Sequence, residues 1–127
     1  MNNNSKEKPR ILLVDDDKDM CESLADVLTL DTDFQVDHTT SPTNAIDRVR
    51  QQDYDLVILD YKMPEMNGIE LLERLKNIRQ DLTAFILTAF ISHDLIEQAK
   101  ELGASRVLSK FIWPDEILKS IKKVLDR

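Results

Sequence analysis

The chain is poor in cysteine, in basic charge and in long apolar runs, and each shortage removes a class of protein. Its one cysteine, Cys21, has no partner for an internal disulfide, so the sequence is compatible with a reducing cytoplasm, the expected location. No apolar stretch approaches the ~20 residues of a membrane-spanning helix. Met1–Lys8 is polar and Asn-rich, without the apolar segment of a signal peptide. Asp and Glu outnumber Lys and Arg by 24 to 17, a net charge of -7 that argues against nucleic acid as the main partner. The two histidines, His38 and His93, are isolated and lack a metal-ligand spacing. There is no internal repeat. One domain is expected over residues 9–127, behind a disordered leader at 1–8.

What the chain does have is acid at the ends of apolar runs. Ile11-Leu12-Leu13-Val14 runs into Asp15-Asp16-Asp17, and Leu56-Val57-Ile58-Leu59 runs into Asp60. Adjacent carboxylates repel, so a fold that gathers them needs a cation there. Helix capping explains one or two such acids, and Asp17 is expected to be a cap rather than a ligand.

Periodicity supplies the frame. Ile11–Val14, Leu56–Leu59 and Ala84–Leu87 are short, continuously apolar runs, as expected of strands covered on both faces. Phe34, Val36 and His38 alternate with Gln35, Asp37 and Thr39, which predicts a half-exposed edge strand, and Val107-Leu108 predicts a fifth strand. Helical stripes lie between: Met20, Leu24, Val27 and Leu28; Ala45, Ile46 and Val49; Leu71, Leu72, Leu75 and Ile78; Leu95, Ala99 and Leu102; Ile117, Leu118, Ile121, Val124 and Leu125. Pro42 and Pro114 mark helix starts and Gly103 a helix stop. Asn67-Gly68 is expected in a strand-to-helix loop, with a positive φ at Gly68. Strand-helix alternation predicts an α/β, doubly wound parallel sheet with helices on both faces. All strands then end on one edge, where ligands bind. With strand order 2-1-3-4-5, Asp15 and Asp16 converge with Asp60, and Thr88 and Lys110 sit at the next two strand ends.

The motifs Leu12-Leu13-Val14-Asp15-Asp16-Asp17, Leu56 to Gly68, Ile86-Leu87-Thr88-Ala89 and Leu102-Gly103-Ala104, followed by Lys110, resemble the receiver domain of two-component response regulators. The resemblance covers about residues 10 to 126. It implies a flavodoxin-like (βα)5 sandwich with Asp60 as phosphoacceptor, assisted by Thr88 and Lys110. It further implies Mg2+ held by Asp15, Asp16, Asp60 and the backbone carbonyl of Lys62, with Asp15 acting through water. The implied phosphodonor is a sensor histidine kinase or a histidine phosphotransfer protein. The implied output is a downstream protein target or an attached output domain, with phosphorylation drawing Thr88 inward and shifting the nearby loops. No membrane partner is expected. Arg127 closes the sequence without an output domain, as in a stand-alone regulator or a piece of a larger one.

Three features depart from the family pattern. Lys110 is followed by Phe111 rather than proline, and a cis bond before a non-proline residue costs about 2.5–4 kcal/mol, so a trans bond is expected. Val107 stands where the family carries a switching aromatic, so the usual aromatic readout is expected to be missing. Tyr61, Phe90, Phe111 and Trp113 crowd the strand-end loops. Phe90 is expected to cover a phosphoryl group and slow its loss, and Trp113 either packs on the last helix or meets a partner. Cys21 is expected in the core. The rival readings are a phosphorylation-independent interaction module and an aspartyl phosphatase of the haloacid-dehalogenase type. The second requires an acid where Lys62 stands.

Overall fold

The short apolar runs form five parallel strands in the order β2-β1-β3-β4-β5, as expected. A computed structural model describes residues 8–30 and 32–126, so the expected leader, Lys8 apart, lies outside the described residues. The elements alternate strictly. They are β1 (Arg10–Val14), α1 (Lys18–Thr29), β2 (Gln35–Thr39), α2 (Pro42–Gln51), β3 (Leu56–Asp60), α3 (Gly68–Ile78), β4 (Ala84–Thr88), α4 (His93–Glu101), β5 (Arg106–Ser109) and α5 (Pro114–Val124).

Side chains on a strand alternate between its two faces, and the sheet uses both. Leu12, Val14, Val57, Leu59, Ala84 and Ile86 pack toward α2, α3 and α4 in one buried cluster. Ile11, Leu13, Leu56, Ile58, Phe85 and Leu87 pack toward α1 and α5 in the other. The register aligns Ile11 with Leu56 and Val57 with Ala84, so like faces continue across the sheet. Fully burying such a Leu, Ile or Phe side chain is worth about 1.5–3 kcal/mol over leaving it exposed. The central strands are therefore rigid supports for whatever lies at their ends.

Helix starts follow local chemistry. Asp17, Ser41 and Ser92 cap α1, α2 and α4 by accepting backbone N–H groups at Met20, Asn44 and Leu95. Asn67 and Glu70 form a reciprocal capping box at α3. Pro114 opens α5 without a side-chain cap, and Asp115 and Glu116 complement its dipole. Gly103 takes φ 86° just beyond α4, the left-handed conformation that ends a helix.

Three sequence expectations need correction. On β2 the alternation is reversed in part: His38 is exposed and Asp37 is half-buried. Asp37 turns inward because it accepts a hydrogen bond from the Tyr54 hydroxyl at 2.7 Å and lies 3.7–3.8 Å from Arg48 and Arg10. On α1 the buried face is Cys21, Ala25 and Leu28, which leaves Met20 on the rim. Gly68 is required for closeness, not for positive φ, which among the described glycines only Gly103 adopts. A Cβ on Gly68 would stand 2.6 Å from the Asp60 carbonyl oxygen and 3.0 Å from Tyr61 Cα. Its N–H donates to the Tyr61 carbonyl at 2.7 Å, so α3 begins directly against the end of β3.

Gly68→Ala is expected to lower stability by about 1–3 kcal/mol through overpacking against backbone. Urea unfolding checks this, and an unchanged midpoint would rule out the close approach.

Candidate functional site

The carboxyl ends of β1, β3, β4 and β5 deliver Asp15, Asp60, Thr88 and Lys110 to one edge of the sheet. Asp60 is the last residue of β3 and is 3% exposed; Asp15, just past β1, is 7% exposed. Asp16 stands beside them in solvent, and one carboxylate oxygen from each of the three lies within 4.8 Å of the others. Among the described residues no other such group of three acid, His or Cys side chains occurs.

Each residue is held by backbone as well as by side chain. The N–H of Asp15 donates to the Thr39 carbonyl at 3.2 Å, and the Asp17 N–H donates to Asp15 Oδ1 at 2.9 Å. Asp17 itself caps α1, as expected. Beyond Asp60, the Tyr61 N–H donates to the Leu87 carbonyl at 2.8 Å. Met63 is buried in the α2/α3 cluster and anchors the loop that carries Lys62, whose side chain is exposed.

One cation closes the site. The Lys110 ammonium lies 3.2 Å from Asp15 Oδ2 and 3.3 Å from Asp60 Oδ1. The Lys110 backbone N–H donates to the Thr88 carbonyl at 2.9 Å, which ties the end of β5 to the end of β4. Burial alone would lower its pKa, but the charges of Asp15 and Asp60 outweigh burial and hold it above the ordinary lysine value. The Asp60 pKa is raised too, which for a carboxylate disfavours the charged form. Burial, then the negative charge of Asp15, raises its pKa from 3.8 to about 7, against the opposing pull of Lys110. Three carboxylates, one of them in solvent, thus gather beside one ammonium.

Thr88 is buried, and its hydroxyl is engaged locally. It donates to the Phe90 carbonyl at 3.1 Å and accepts the Phe90 N–H at 3.2 Å. The Phe90 side chain is 85% exposed. Trp113, the N-cap of α5, is 79% exposed and so buries little of its ring. The Lys110–Phe111 bond is trans, as expected, since the described residues contain no cis peptide. Val107 is half-buried against the core. Cys21 lies in the core, where burial pushes its thiol up to about 11. Sequence reasoning missed the Ser109 hydroxyl, which accepts the Phe111 N–H at 3.1 Å beside Lys110. The available signal was a hydroxyl residue two positions before an N–H at a strand end.

A five-stranded parallel sheet with buried acids at its carboxyl edge and a lysine between them defines a class, the receiver domains. The response regulator receiver domain model matches residues 11–122. The chain is 37% identical over 116 residues to sporulation initiation phosphotransferase F of Bacillus subtilis, covering 91% of this chain and 93% of that protein. A CheY-like receiver domain from Methanospirillum hungatei superposes with TM-score 0.89 at 27% identity, covering 94% of this chain and 95% of the other. The non-phosphorylated HemR receiver domain of Leptospira biflexa gives 0.87 at 32% identity, covering 94% and 96%. The chain belongs to the response regulator receiver domain family.

The raised Asp60 pKa sets the sign of a pH effect. Between about pH 4 and pH 7 the native state keeps a proton that the unfolded chain has released, and this stabilisation is lost as pH rises. Without divalent cations, Asp60→Asn should gain stability over the parent across that window and hold the gain above it. Paired urea titrations at several pH values check this, and a pH-independent difference would contradict the raised pKa.

Proposed function

We propose that this receiver domain accepts a phosphoryl group on Asp60 and uses it to switch protein contacts. The observation that carries the reading is the buried Asp60 carboxylate held at a strand end with Asp15, Asp16 and Lys110 around it. A carboxylate oxygen of Asp60 attacks the phosphorus of a phosphohistidine. The P–N bond breaks, its electron pair goes to the imidazole, and an acyl phosphate remains on Asp60. Catalysis is mainly placement and charge stabilisation. Lys110 exchanges its contact with Asp60 for one with a phosphoryl oxygen, and the Thr88 hydroxyl leaves Phe90 to donate to another.

The donor set fits Mg2+, which takes one or two carboxylates, other oxygens and several waters. Asp16 and Asp60, with the Lys62 carbonyl, would ligate it directly, and Asp15 would act through water. When bound, the ion neutralises the charge that accumulates between the carboxylate and the phosphoryl group. The gathering of three carboxylates beside one ammonium supports this assignment. The partners on this reading are a sensor histidine kinase or histidine phosphotransfer protein, and a downstream protein target or attached output domain. The compartment is the cytoplasm; no helix of the described residues is long and apolar enough to cross a membrane.

Incubation with acetyl phosphate and Mg2+ is expected to add one phosphoryl group to the parent by intact-protein mass. Asp60→Asn should gain none, and chelation of the metal should abolish the gain. A parent that binds Mg2+ but gains nothing, even from histidine kinases, would turn the assignment toward an interaction module.

A further inference from the structure

We infer that Ser109 is a positioning residue for Lys110, setting the ammonium between Asp15 and Asp60 through a hydrogen bond to the next backbone N–H. The inference rests on the phosphoacceptor reading, in which Lys110 must be held for the phosphoryl oxygen.

The geometry of the segment leaves few other ties. Lys110 lies one residue past the end of β5, and a lysine side chain has four methylene groups and large rotational freedom. Its backbone on the N-terminal side is fixed by its own N–H, which reaches the Thr88 carbonyl at 2.9 Å. On the C-terminal side stands Phe111, whose side chain is 78% exposed and gives the loop little packing. The hold at Phe111 is its N–H, 3.1 Å from Ser109 Oγ. The Ser109 carbonyl accepts the Ile112 N–H at 3.3 Å, which closes the turn around Lys110. One residue therefore receives both N–H groups that follow the lysine. Ile112 then packs into the α1/α5 cluster and anchors the far end.

Such a hydroxyl turn restricts the backbone dihedrals of the residue between donor and acceptor, which here is Lys110. The ammonium must satisfy two carboxylates at once, at 3.2 and 3.3 Å, so small changes at its Cα are felt at its tip. Alanine at position 109 keeps the strand but removes the acceptor. Threonine keeps the acceptor at this half-buried position.

The test compares Ser109→Ala and Ser109→Thr with the parent in two measurements. Exchange of the Phe111 amide hydrogen, followed by NMR, should be faster in Ser109→Ala and parent-like in Ser109→Thr. The phosphorylation rate with acetyl phosphate and Mg2+ should fall about three- to ten-fold in Ser109→Ala and recover in Ser109→Thr. Unchanged thermal stability in Ser109→Ala would separate this loss from general unfolding. If Ser109→Ala speeds amide exchange but phosphorylates at the parent rate, or if Ser109→Thr fails to restore the rate, the positioning role is wrong. A parent that takes up no phosphoryl group, or takes it up equally as Asp60→Asn, would defeat the phosphoacceptor reading instead; the amide exchange still reports whether Ser109 holds the turn.

Discussion

A single ammonium stands between two carboxylates that the fold would otherwise bury against each other. Unpaired, buried like charges are costly, and the usual relief is for one of them to take a proton. Lys110 provides part of the compensation by contacting Asp15 and Asp60 together. The compensation is incomplete, and the Asp60 carboxyl remains well above its ordinary pKa. Three carboxylates meet at this edge beside one ammonium, so the ion pairing there is only partial.

The rest of the molecule keeps those three groups at fixed separations. β1 and β3 are neighbours, aligned by their register, so Asp15 and Asp60 are brought together by backbone hydrogen bonds and not by flexible loops. β4 lies between β3 and β5, and the bond from Lys110 N–H to Thr88 carbonyl continues that alignment past the last strand. Below the site, apolar side chains fill both faces of the sheet, which limits relaxation of the strand ends. Gly68 adds the remaining constraint by letting α3 press on the backbone of Asp60 and Tyr61.

Most of this arrangement was legible in the sequence because it rests on strong, local signals. Continuous apolar runs gave the buried strands, prolines and cap residues gave the helix starts, and the acid at the end of two runs gave the convergence of Asp15, Asp16 and Asp60. What could not be read depended on tertiary partners. Asp37 faces inward only because Tyr54, Arg10 and Arg48 meet it there, and its strand pattern taken alone points outward. The role of Gly68 needed the approach of a second backbone, which no local turn preference encodes. Exposure of Phe90 and Trp113 was equally invisible, since an aromatic side chain near a loop fits either a covered or an open position. The Ser109 turn was a weak signal of a common kind, and the sequence does not say which N–H its hydroxyl will accept.

The Thr88 turn has a thermodynamic corollary. A hydroxyl owns one proton, and here that proton is already given to the Phe90 carbonyl. Any anion at Asp60 that claims it competes with the loop for a single donor, so the two occupancies are mutually exclusive at that bond. By linkage, a protein that binds the loop only in its released form strengthens the anion's hold by the same factor that the anion strengthens the protein's. A change that stabilises the turn would therefore weaken binding of the anion and of such a protein alike.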